Sequence, residues 1–358
     1  MKTVKNFFMM ALDIQLFADV INTTGSNTTG NNLSAEMKTF YDKVLLREAG
    51  PKLVHDQFGQ KRDIPKGNGK SIEFRKFNQL PKALTALTEG VTPDGGALDV
   101  TSLTATVAQY GYFLRISDVL DLTAVDNVIV EATQLLGSQA GVTMDTVVRN
   151  QLVAGNNVLF CPTVSSGAET AVTQRKDMNT TSQLTVKMIQ KAATLLKNNN
   201  VPDFDGCYVA IIHPSVAYDL KRDPEWVNAH QYAQPENLFT GEIGKIAGVR
   251  FVETTEAKVW NDSDCPVKTA AANSNPAVYY SVFATLVLGK NAYGVTEVTG
   301  GGLQTIVKPK GSGGTADPLD QRSTVGWKGI RTAKVLLEQN MVRIESVSAE
   351  WSGTVKAN

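Results

Sequence analysis

The clearest succession of apolar and polar segments lies between residues 208 and 256. A continuous apolar run from Tyr208 to Ile212 predicts a buried strand. Short helices are predicted from Ser215 to Lys221 and from Pro224 onwards, because proline is favoured at the first helical position. A further strand is predicted from Val249 to Glu253. These segments predict one compact layered unit of strands and helices, without the pattern of a reaction centre.

A long helix is predicted between Thr123 and Gly155, where apolar residues recur at helical spacing. About 30 residues at about 1.5 Å each would make a rod of roughly 45 Å. Thr123 and Asp126 resemble a capping box, and Gly155 provides a stop. The predicted buried face consists of Val125, Val128, Ile129, Ala132, Leu136, Ala140, Met144, Val147, Val148 and Leu152.

Two other helices are predicted, one on each side of this rod. The first begins after the cap residue Ser34 and ends before Gly50, with Met37, Tyr41, Val44 and Leu45 on one face. The second is an amphipathic helix from residue 184 to residue 196. Its predicted inward residues are Val186, Ile189, Ala193 and Leu196.

Residues 61–116 predict a long two-stranded excursion. The segment 71–77 alternates Ile72 and Phe74 with charged residues, as a strand with one solvated face does. Residues 100–116 are rich in Thr, Val and aromatic residues and predict a returning strand. An isolated hairpin is only marginally stable in water. The excursion therefore predicts a partner surface, and we expect this to be another copy of the chain.

The C-terminal third predicts strands separated by loops. Residues 257–276 show little pattern and predict a surface insertion, and residues 309–324 predict a loop. Strands are predicted over 278–287 and 303–307, and two closing β segments are predicted around Gln339-Asn340.

Composition narrows the function classes. The chain of 358 residues has 35 Lys plus Arg and 35 Asp plus Glu, so its formal net charge is zero and gives no support to nucleic-acid recognition. Its cysteines, Cys161, Cys207 and Cys265, are too widely spaced for a disulfide framework or a metal motif. No apolar run reaches the about 18 residues of a membrane span. We therefore expect no membrane association.

The N-terminal residues allow two interpretations. Residues 19–33 are polar, and the apolar patch before them follows Lys2 and Lys5 but is interrupted by Asp13. We interpret residues 1–60 as an arm. The alternative is a signal peptide on a secreted or cell-surface binding or structural protein, in which case Asn22-Thr23-Thr24 would be a glycosylation triplet.

Motifs for chemistry are weak. Gly69-Lys70-Ser71 imitates the end of a phosphate-binding loop, but Ile64 stands where the first glycine is needed, so a turn is predicted and a nucleotide hydrolase ranks last. His213 lacks nearby ligands for zinc, which predicts a packing role. We predict no catalytic residue, no cofactor, no metal site and no enzyme activity.

Charged residues on the excursion are the candidate contact residues. The candidates are Arg62, Lys66, Lys70, Arg75, Lys76, Lys82, Glu89 and Asp94. One interpretation is an inter-subunit surface on which basic side chains pair with acidic side chains of a neighbouring copy. The other is a solvated hairpin face, since exposed charge pairs are common and weak.

The order of arm, β excursion, long helix and αβ unit resembles that of tailed-bacteriophage (Caudoviricetes) major capsid proteins. The segments YVAIIHPSVAYDLKRDPEW, TGEIGKIAGVRFVETT and DPLDQRSTVGWKGIRTAKVLLEQNMVRIE also look like one subfamily of them. The resemblance implies an α+β shell fold shared with encapsulins and herpesvirus capsids.

The resemblance also implies a division of the chain. Residues 1–60 would be the N-terminal arm and 61–116 the extended β-hairpin loop over the adjacent subunit. The peripheral domain would span 117–184 with a spine helix at 123–155, the axial αβ domain would span 185–305, and 306–358 would return to the peripheral domain.

The implied function is that of a major capsid protein. Copies would assemble into pentamers and hexamers and close an icosahedral shell around double-stranded DNA, which the shell would contact non-specifically. The short arm further suggests a separate scaffolding protein, and a portal is expected as well. The implied location is the virion, assembled in the bacterial host cytoplasm.

Overall fold

The computed structural model describes residues 35–49, 53–77, 80, 82–87, 89–90, 92, 95–123, 128–232, 244–269, 277–313 and 317–358. These residues form an α+β fold in two compact units. Among the described residues, those within 35–47, 111–137 and 304–327 form the smaller unit, and those within 48–110, 138–303 and 328–358 form the larger unit.

The helices of the described residues mostly match the predicted ones. They are α1 (Ala35–Ala49), α2 (Asp118–Thr123), α3 (Val128–Val153), α4 (Val186–Asn198), α5 (Pro214–Lys221) and α6 (Pro224–Tyr232). Short 3-10 turns lie at Arg175–Asp177 and Glu338–Asn340.

The strands cover most of the remaining described chain. They are β1 (Gln60–Ile64), β2 (Ser71–Phe77), β3 (Val100–Thr106), β4 (Ala108–Ser117), β5 (Val158–Phe160), β6 (Thr163–Ser165), β7 (Ala168–Thr170), β8 (Tyr208–Ile212), β9 (Lys245–Ile246), β10 (Val249–Glu253), β11 (Val259–Trp260), β12 (Val267–Thr269), β13 (Val278–Tyr279), β14 (Val282–Leu288), β15 (Tyr293–Val298), β16 (Gln304–Lys308), β17 (Arg322–Val335) and β18 (Met341–Val347).

The larger unit is built around a mixed sheet in the order β5-β18-β14-β8-β10-β9. Strand β8 pairs in parallel with β10 and antiparallel with β14, and β14 pairs antiparallel with β18. All five residues of β8 and all seven of β14 are buried. Continuous apolar strands of this kind require cover on both faces of the sheet.

That cover comes from different elements on the two faces. On one face Ala210 and Ile212 share a core with Ile189 of α4 and Leu220 of α5. On the other face Ile211 and its neighbours share a core with residues of α3, β15 and β17. The alternation of side chains along a strand explains why consecutive residues of β8 enter different cores. The predicted strands and helices from residue 208 to 253 are thus confirmed as one layered unit.

A second set of strands in the larger unit begins with β1. Gln60 to Ile64 pair in parallel with Gly294 to Val298 of β15, and β15 pairs antiparallel with residues 332–335 of β17. Strand β1 was not predicted, because QKRDI is strongly polar and three of its five residues are exposed. Its pairing with β15 fixes the start of the excursion to the larger unit.

The smaller unit combines α1, α2 and the start of α3 with strand segments of β4, β16 and β17. Tyr41, Val44 and Leu45 are buried, which confirms these three positions of the predicted face of α1, whereas the side chain of Met37 lies outside the described part of the structure. The Asp42 carboxylate of α1 accepts a hydrogen bond from the Thr305 backbone N at 3.1 Å. Ser34, the predicted cap, lies outside the described residues.

The start of the predicted long helix was wrong. Thr123 ends α2, and its hydroxyl donates to the Val119 carbonyl oxygen at 2.7 Å, so it does not cap α3. Helix α3 begins at Val128 in the described chain and ends at Val153. Of the capping box and buried face that we predicted, Asp126 and Val125 lie outside the described residues. Residues 132, 136, 140, 144, 148 and 152 are buried as predicted.

The predicted surface insertion at 257–276 was also wrong for its described part. Ala257, Val259 and Cys265 are buried, and β11 pairs with β14. The prediction failed because polar residues separate these buried positions, so the sequence has no apolar periodicity there. The predicted loop 309–324 likewise ends earlier, because β17 begins at Arg322.

Candidate inter-subunit surface

The excursion is an antiparallel hairpin of β2 and β3. Ser71 pairs with Thr106 and Phe77 pairs with Val100, so the register runs through all seven pairs. Ile72 and Phe74 share one face with their partners, and that face is buried or half-buried. Ser71, Glu73 and Arg75 lie on the other face, which is exposed together with Ser102, Thr104 and Thr106 of β3. The predicted alternation of the segment 71–77 is confirmed.

Phe74 anchors the hairpin to the larger unit. Its side chain is 3% exposed, and its ring packs on Gly294 of β15, where a Cβ atom would lie 2.7 Å from ring carbons. The Arg62 guanidinium lies 5.7 Å from the centre of the same ring, on the exposed side. Glycine is required at 294 because the ring occupies the space of a side chain.

The loop between β2 and β3 leaves its leucines in solvent. Leu80, Leu84, Leu87 and Leu98 are 57%, 86%, 78% and 70% exposed. Isolated exposed leucines are common on proteins, but several on one protruding loop mark an interaction site. Burial of one leucine side chain is worth about 1.5–3 kcal/mol. The loop therefore has apolar surface that the described residues of its own chain do not cover.

The charged candidate residues occupy several parts of the excursion. Arg62 lies in β1, Lys66 and Lys70 in the following turn, and all three are exposed. Arg75 and Lys76 lie in β2, and Lys82 and Glu89 lie in the leucine-bearing loop, where both are exposed. Asp94 lies outside the described residues.

These charges do not share one face of the hairpin. Arg75 points to the exposed face and is 3.9 Å from Glu73, whereas Lys76 alternates to the opposite, half-buried side. The side chains of Arg75 and Glu73 are 69% and 47% exposed, so this pair contributes little to stability. The contact role of the charged residues stays a prediction.

The apparent phosphate-binding motif is a turn. Gly67 and Gly69 have φ angles of 94° and 84°, which a left-handed turn needs, and strands precede and follow it. This agrees with the turn that the sequence predicts.

His213 has a local structural role. Its Nδ1 accepts a hydrogen bond from the Ser215 backbone N at 3.1 Å at the start of α5, and its ring lies 5.0 Å from that of Phe283. Burial lowers the pKa of His213 to about 4. Among the described residues, no cluster of His, Cys, Asp and Glu has the arrangement of a metal site.

The free cysteines differ in access. Cys161 and Cys265 are buried, whereas Cys207 is half-buried. Burial raises the pKa of both buried thiols, to about 11 for Cys265. Cys207 is therefore the most accessible of the three thiols.

A buried polar cluster in the larger unit was missed from the sequence. His55 is fully buried, with its backbone N 2.7 Å and its Nδ1 2.6 Å from the two carboxylate oxygens of Asp145 on α3. The Tyr293 hydroxyl donates to the His55 carbonyl oxygen. The available signal was Asp145 itself, a charge between the predicted core positions Met144 and Val148. This cluster fixes the chain before β1 and is structural.

A second buried charge site lies on β18. Glu345 is fully buried and accepts hydrogen bonds from Arg175 at 2.7 and 2.9 Å and from Arg343 at 3.0 Å. The Arg175 guanidinium also stacks 3.8 Å from the ring centre of Trp260. Direct hydrogen bonds from both guanidinium groups are needed here, because they offset the free-energy cost of removing the Glu345 carboxylate from water.

Comparison with protein families identifies the kind of protein. The model of a phage capsid protein family matches residues 114–312, which is more than half of the chain. The chain belongs to the phage capsid protein family. This family consists of structural components of the virion rather than enzymes, and the hairpin, α3 and the αβ unit are thus parts of a capsid protein.

Solved structures of phage capsids share the fold. The capsid structure of the cyanophage P-SCSP1u has a TM-score of 0.60 and 16% identity, over 93% of this chain and 94% of that one. A cyanophage Pam1 capsid chain has a TM-score of 0.59 and 15% identity, over 93% of this chain and 100% of that one. The capsid of Ralstonia phage GP4 has a TM-score of 0.59 and 13% identity, over 93% of this chain and 97% of that one. No match was found among curated protein sequences.

The predicted α+β capsid fold is therefore confirmed. Family membership favours the capsid hypothesis, and no observation favours the secreted alternative. No helix among the described residues has the length and apolarity needed to cross a bilayer.

Proposed function

We propose that this capsid protein is the major shell subunit of its phage, and that it acts by tiling. Copies form pentamers and hexamers, which close an icosahedral shell around double-stranded DNA. Heterologous contacts between identical subunits generate such closed assemblies when the rotation between neighbours closes. The role is structural and requires no catalytic activity, cofactor or metal.

The observation that carries this proposal is the exposure of the hairpin loop. Leu84 and Leu87 are 86% and 78% exposed on the loop of a hairpin that packs on the larger unit at Phe74. Burial of both leucines against a neighbour would contribute about 3–6 kcal/mol before the cost of ordering the loop. The gain recurs at every subunit contact, so modest interfaces suffice to stabilise a shell.

The proposed division of labour follows the predicted segments. Residues 1–60 act as an arm and 61–116 extend over the adjacent subunit. Residues 117–184 and 306–358 form the peripheral domain, and 185–305 form the axial domain. The charged residues Arg62, Lys66, Lys70, Arg75, Lys76, Lys82, Glu89 and Asp94 contribute contacts to neighbours.

Other partners follow from a shell role. We propose a separate scaffolding protein, a portal, and non-specific contact with the packaged DNA. The zero net charge of the chain is consistent with containment of DNA rather than sequence recognition. Assembly takes place in the host cytoplasm.

Negative-stain microscopy tests the proposal. The chain is co-expressed with the other head genes of its phage, and we expect closed shells of uniform diameter. In the variant L84S/L87S, assembly should fall sharply, whereas L84M/L87M keeps the apolar area and should assemble as the wild type does. A wild-type chain that stays monomeric at high concentration under these conditions would contradict the proposed function.

A further inference from the structure

The turn between β1 and β2 contains Asn68-Gly69, and Asn68 is the only asparagine in the sequence that is followed by glycine. All residues from 65 to 70 are exposed. Gly69 has a φ angle of 84°, and no atom lies within 4 Å of the place that a Cβ would take. Water and hydroxide therefore reach the peptide bond between the two residues from open space.

This dipeptide brings together two groups that can react with each other. The backbone N of the residue after an asparagine can close a five-membered ring on the carboxamide carbon of that asparagine. Any side chain on the following residue obstructs this approach, and glycine has none. Glycine also adopts the backbone conformations that the ring requires without a steric penalty. The sequence thus places the least obstructed partner directly after Asn68.

The hydrogen bonds of the turn do not hold the reacting groups. The Asn68 backbone N donates to the Pro65 carbonyl oxygen at 3.2 Å, and the Lys70 carbonyl oxygen accepts from the Val107 backbone N at 2.9 Å. Between these two bonds, neither the Asn68 carboxamide nor the Gly69 backbone N has a hydrogen-bond partner in the described part of the chain. The intervening peptide unit can rotate while both ends of the turn stay in place.

Other asparagines have their carboxamides fixed by the fold. The Asn340 Nδ2 donates to the Lys290 carbonyl oxygen at 2.9 Å, and the Asn157 Nδ2 donates to the Met341 carbonyl oxygen at 2.8 Å. Asn340 is also buried. A carboxamide held in this way does not turn toward the next backbone N, so the fold protects these residues and leaves Asn68 unprotected.

The pair Asp205-Gly206 provides a comparison within the same chain. Phe204 and Cys207 on either side of it exchange two backbone hydrogen bonds of 2.8 and 3.1 Å, and both central residues have positive φ angles of 52° and 81°. This is the geometry of a tight hairpin turn, which fixes the backbone on both sides of the pair. A carboxylate is also a poorer target for the backbone N than a carboxamide. We therefore expect Asp205 to remain unmodified.

We propose that Asn68 is a site of spontaneous deamidation. The Gly69 backbone N loses its proton to hydroxide and attacks Cγ of Asn68, so that an N–Cγ bond forms and the Cγ–Nδ2 bond breaks. The leaving nitrogen takes up a proton from water and departs as ammonia. Water then adds to one of the two carbonyl carbons of the succinimide ring. Opening at one carbon gives aspartate, and opening at the other gives isoaspartate.

The modification changes both the charge and the backbone of the turn. Each converted copy gains one negative charge next to Lys66 and Lys70, and its formal net charge falls from zero to minus one. In the isoaspartate product the main chain runs through the former side-chain carbon, which lengthens the turn between β1 and β2. The reaction needs only this chain and water, so the inference does not rest on the shell function.

Peptide mapping of the purified wild-type chain tests the proposal. The chain is incubated at neutral and at mildly alkaline pH, and electron-transfer fragmentation in the mass spectrometer distinguishes aspartate from isoaspartate. A synthetic peptide of residues 64–71 is incubated beside it. We expect isoaspartate at residue 68, formed faster at the higher pH because the attacking nitrogen must be deprotonated. Exposed segments with few contacts open at little free-energy cost. The rate should therefore lie within about tenfold of that in the peptide, or about 1.4 kcal/mol in barrier.

Two variants serve as controls. Asn68→Gln keeps a carboxamide but would have to form a six-membered ring, so the conversion and its acidic shift in isoelectric focusing should be lost. Asn68→Asp carries the charge of the product and should focus where the converted wild type does. Thermal unfolding of both variants should match that of the wild type, since the side chain is exposed.

The results that would overturn the proposal are specific. Conversion of Asn68 more than about tenfold slower than in the peptide would show that the turn protects it. Faster conversion at another described asparagine, or isoaspartate at residue 205, would show that the fold does not select Asn68. Aspartate without isoaspartate would indicate direct hydrolysis of the carboxamide and exclude the attack by the Gly69 nitrogen. Failure of the chain to form shells would contradict the proposed function and leave this chemistry intact.

Discussion

The packing of Phe74 on Gly294 predicts that the effect of Gly294→Ala on the free energy of unfolding changes sign when Phe74 is removed. A Cβ at residue 294 would lie 2.7 Å from two carbons of the Phe74 ring, and the ring is too buried to move away freely. Gly294→Ala should therefore lower the free energy of unfolding by about 1–3 kcal/mol, as overpacking of a core does. The backbone of Gly294 is not left-handed, so this cost comes from the clash with the ring and not from backbone strain.

Phe74→Ala removes the clash together with the anchor. By itself it should cost about 3–5 kcal/mol, the usual range for a buried Phe→Ala change. In that background Gly294→Ala should stabilise the chain by about 0.5–1 kcal/mol, because alanine is favoured over glycine within a strand. The two substitutions should thus couple by about 2 kcal/mol or more.

Urea unfolding of the unassembled chain, followed by circular dichroism, measures the free energy of unfolding of the wild type, the two single variants and the double variant. Gly302→Ala is the matched control, since no atom lies within 4 Å of a Cβ there, and its effect should stay within about 0.5 kcal/mol. Additive effects of the substitutions at 74 and 294 would refute the proposed packing. A neutral Gly294→Ala in the wild-type background would do the same.

Three further predictions concern titratable groups. The pKa of His213 is about 4 in the fold, against an ordinary value of 6.5, so the unfolded chain binds more protons at pH values between the two. The free energy of unfolding should therefore fall by a few kcal/mol as the pH drops from 6.5 to 4. In His213→Asn, which keeps a capping side chain, this part of the pH dependence should disappear from urea titrations. Glu345→Gln should lower the free energy of unfolding by about 3–5 kcal/mol because it leaves two half-buried arginines without their fully buried carboxylate. Glu169→Gln, at an exposed pair, should cost at most about 1 kcal/mol, and similar losses in the two variants would contradict this assignment. A thiol reagent at pH 8 should modify Cys207 rapidly and the buried Cys265 only after denaturation. Rapid labelling of Cys265 in the folded chain, detected by mass spectrometry, would show that its segment is not packed as described.

The sequence predicted those elements whose periodicity is uninterrupted. Strands β8 and β10 and the buried face of α4 were located closely, because apolar runs and regular helical spacing report burial directly. Strand β1 was missed because it is polar and is held by its pairing with β15 rather than by its own apolar side chains. The region after residue 257 was assigned to the surface because short strands with polar neighbours have no period to detect.

The candidate contact residues show a similar division. The exposure of Arg75 on one face of the hairpin followed from alternation in the segment 71–77. The distribution of the candidates over both faces, and the cleft that residues of β4, β16 and β17 line in the smaller unit, depend on segments far apart in the chain. No local pattern reports that Phe113, Ile306 and Lys308 line one wall.

The sequence by itself determined the order of hairpin, long helix and αβ unit, since each depends on the spacing of neighbouring residues. It also determined that residues 80–99 are acidic and rich in leucine. The tertiary structure decided that these leucines stay in solvent, that His55 is buried against Asp145, and which strands line a cleft in the smaller unit. Such facts depend on long-range pairing, because the free energy of burial is set by whichever segments the fold brings together.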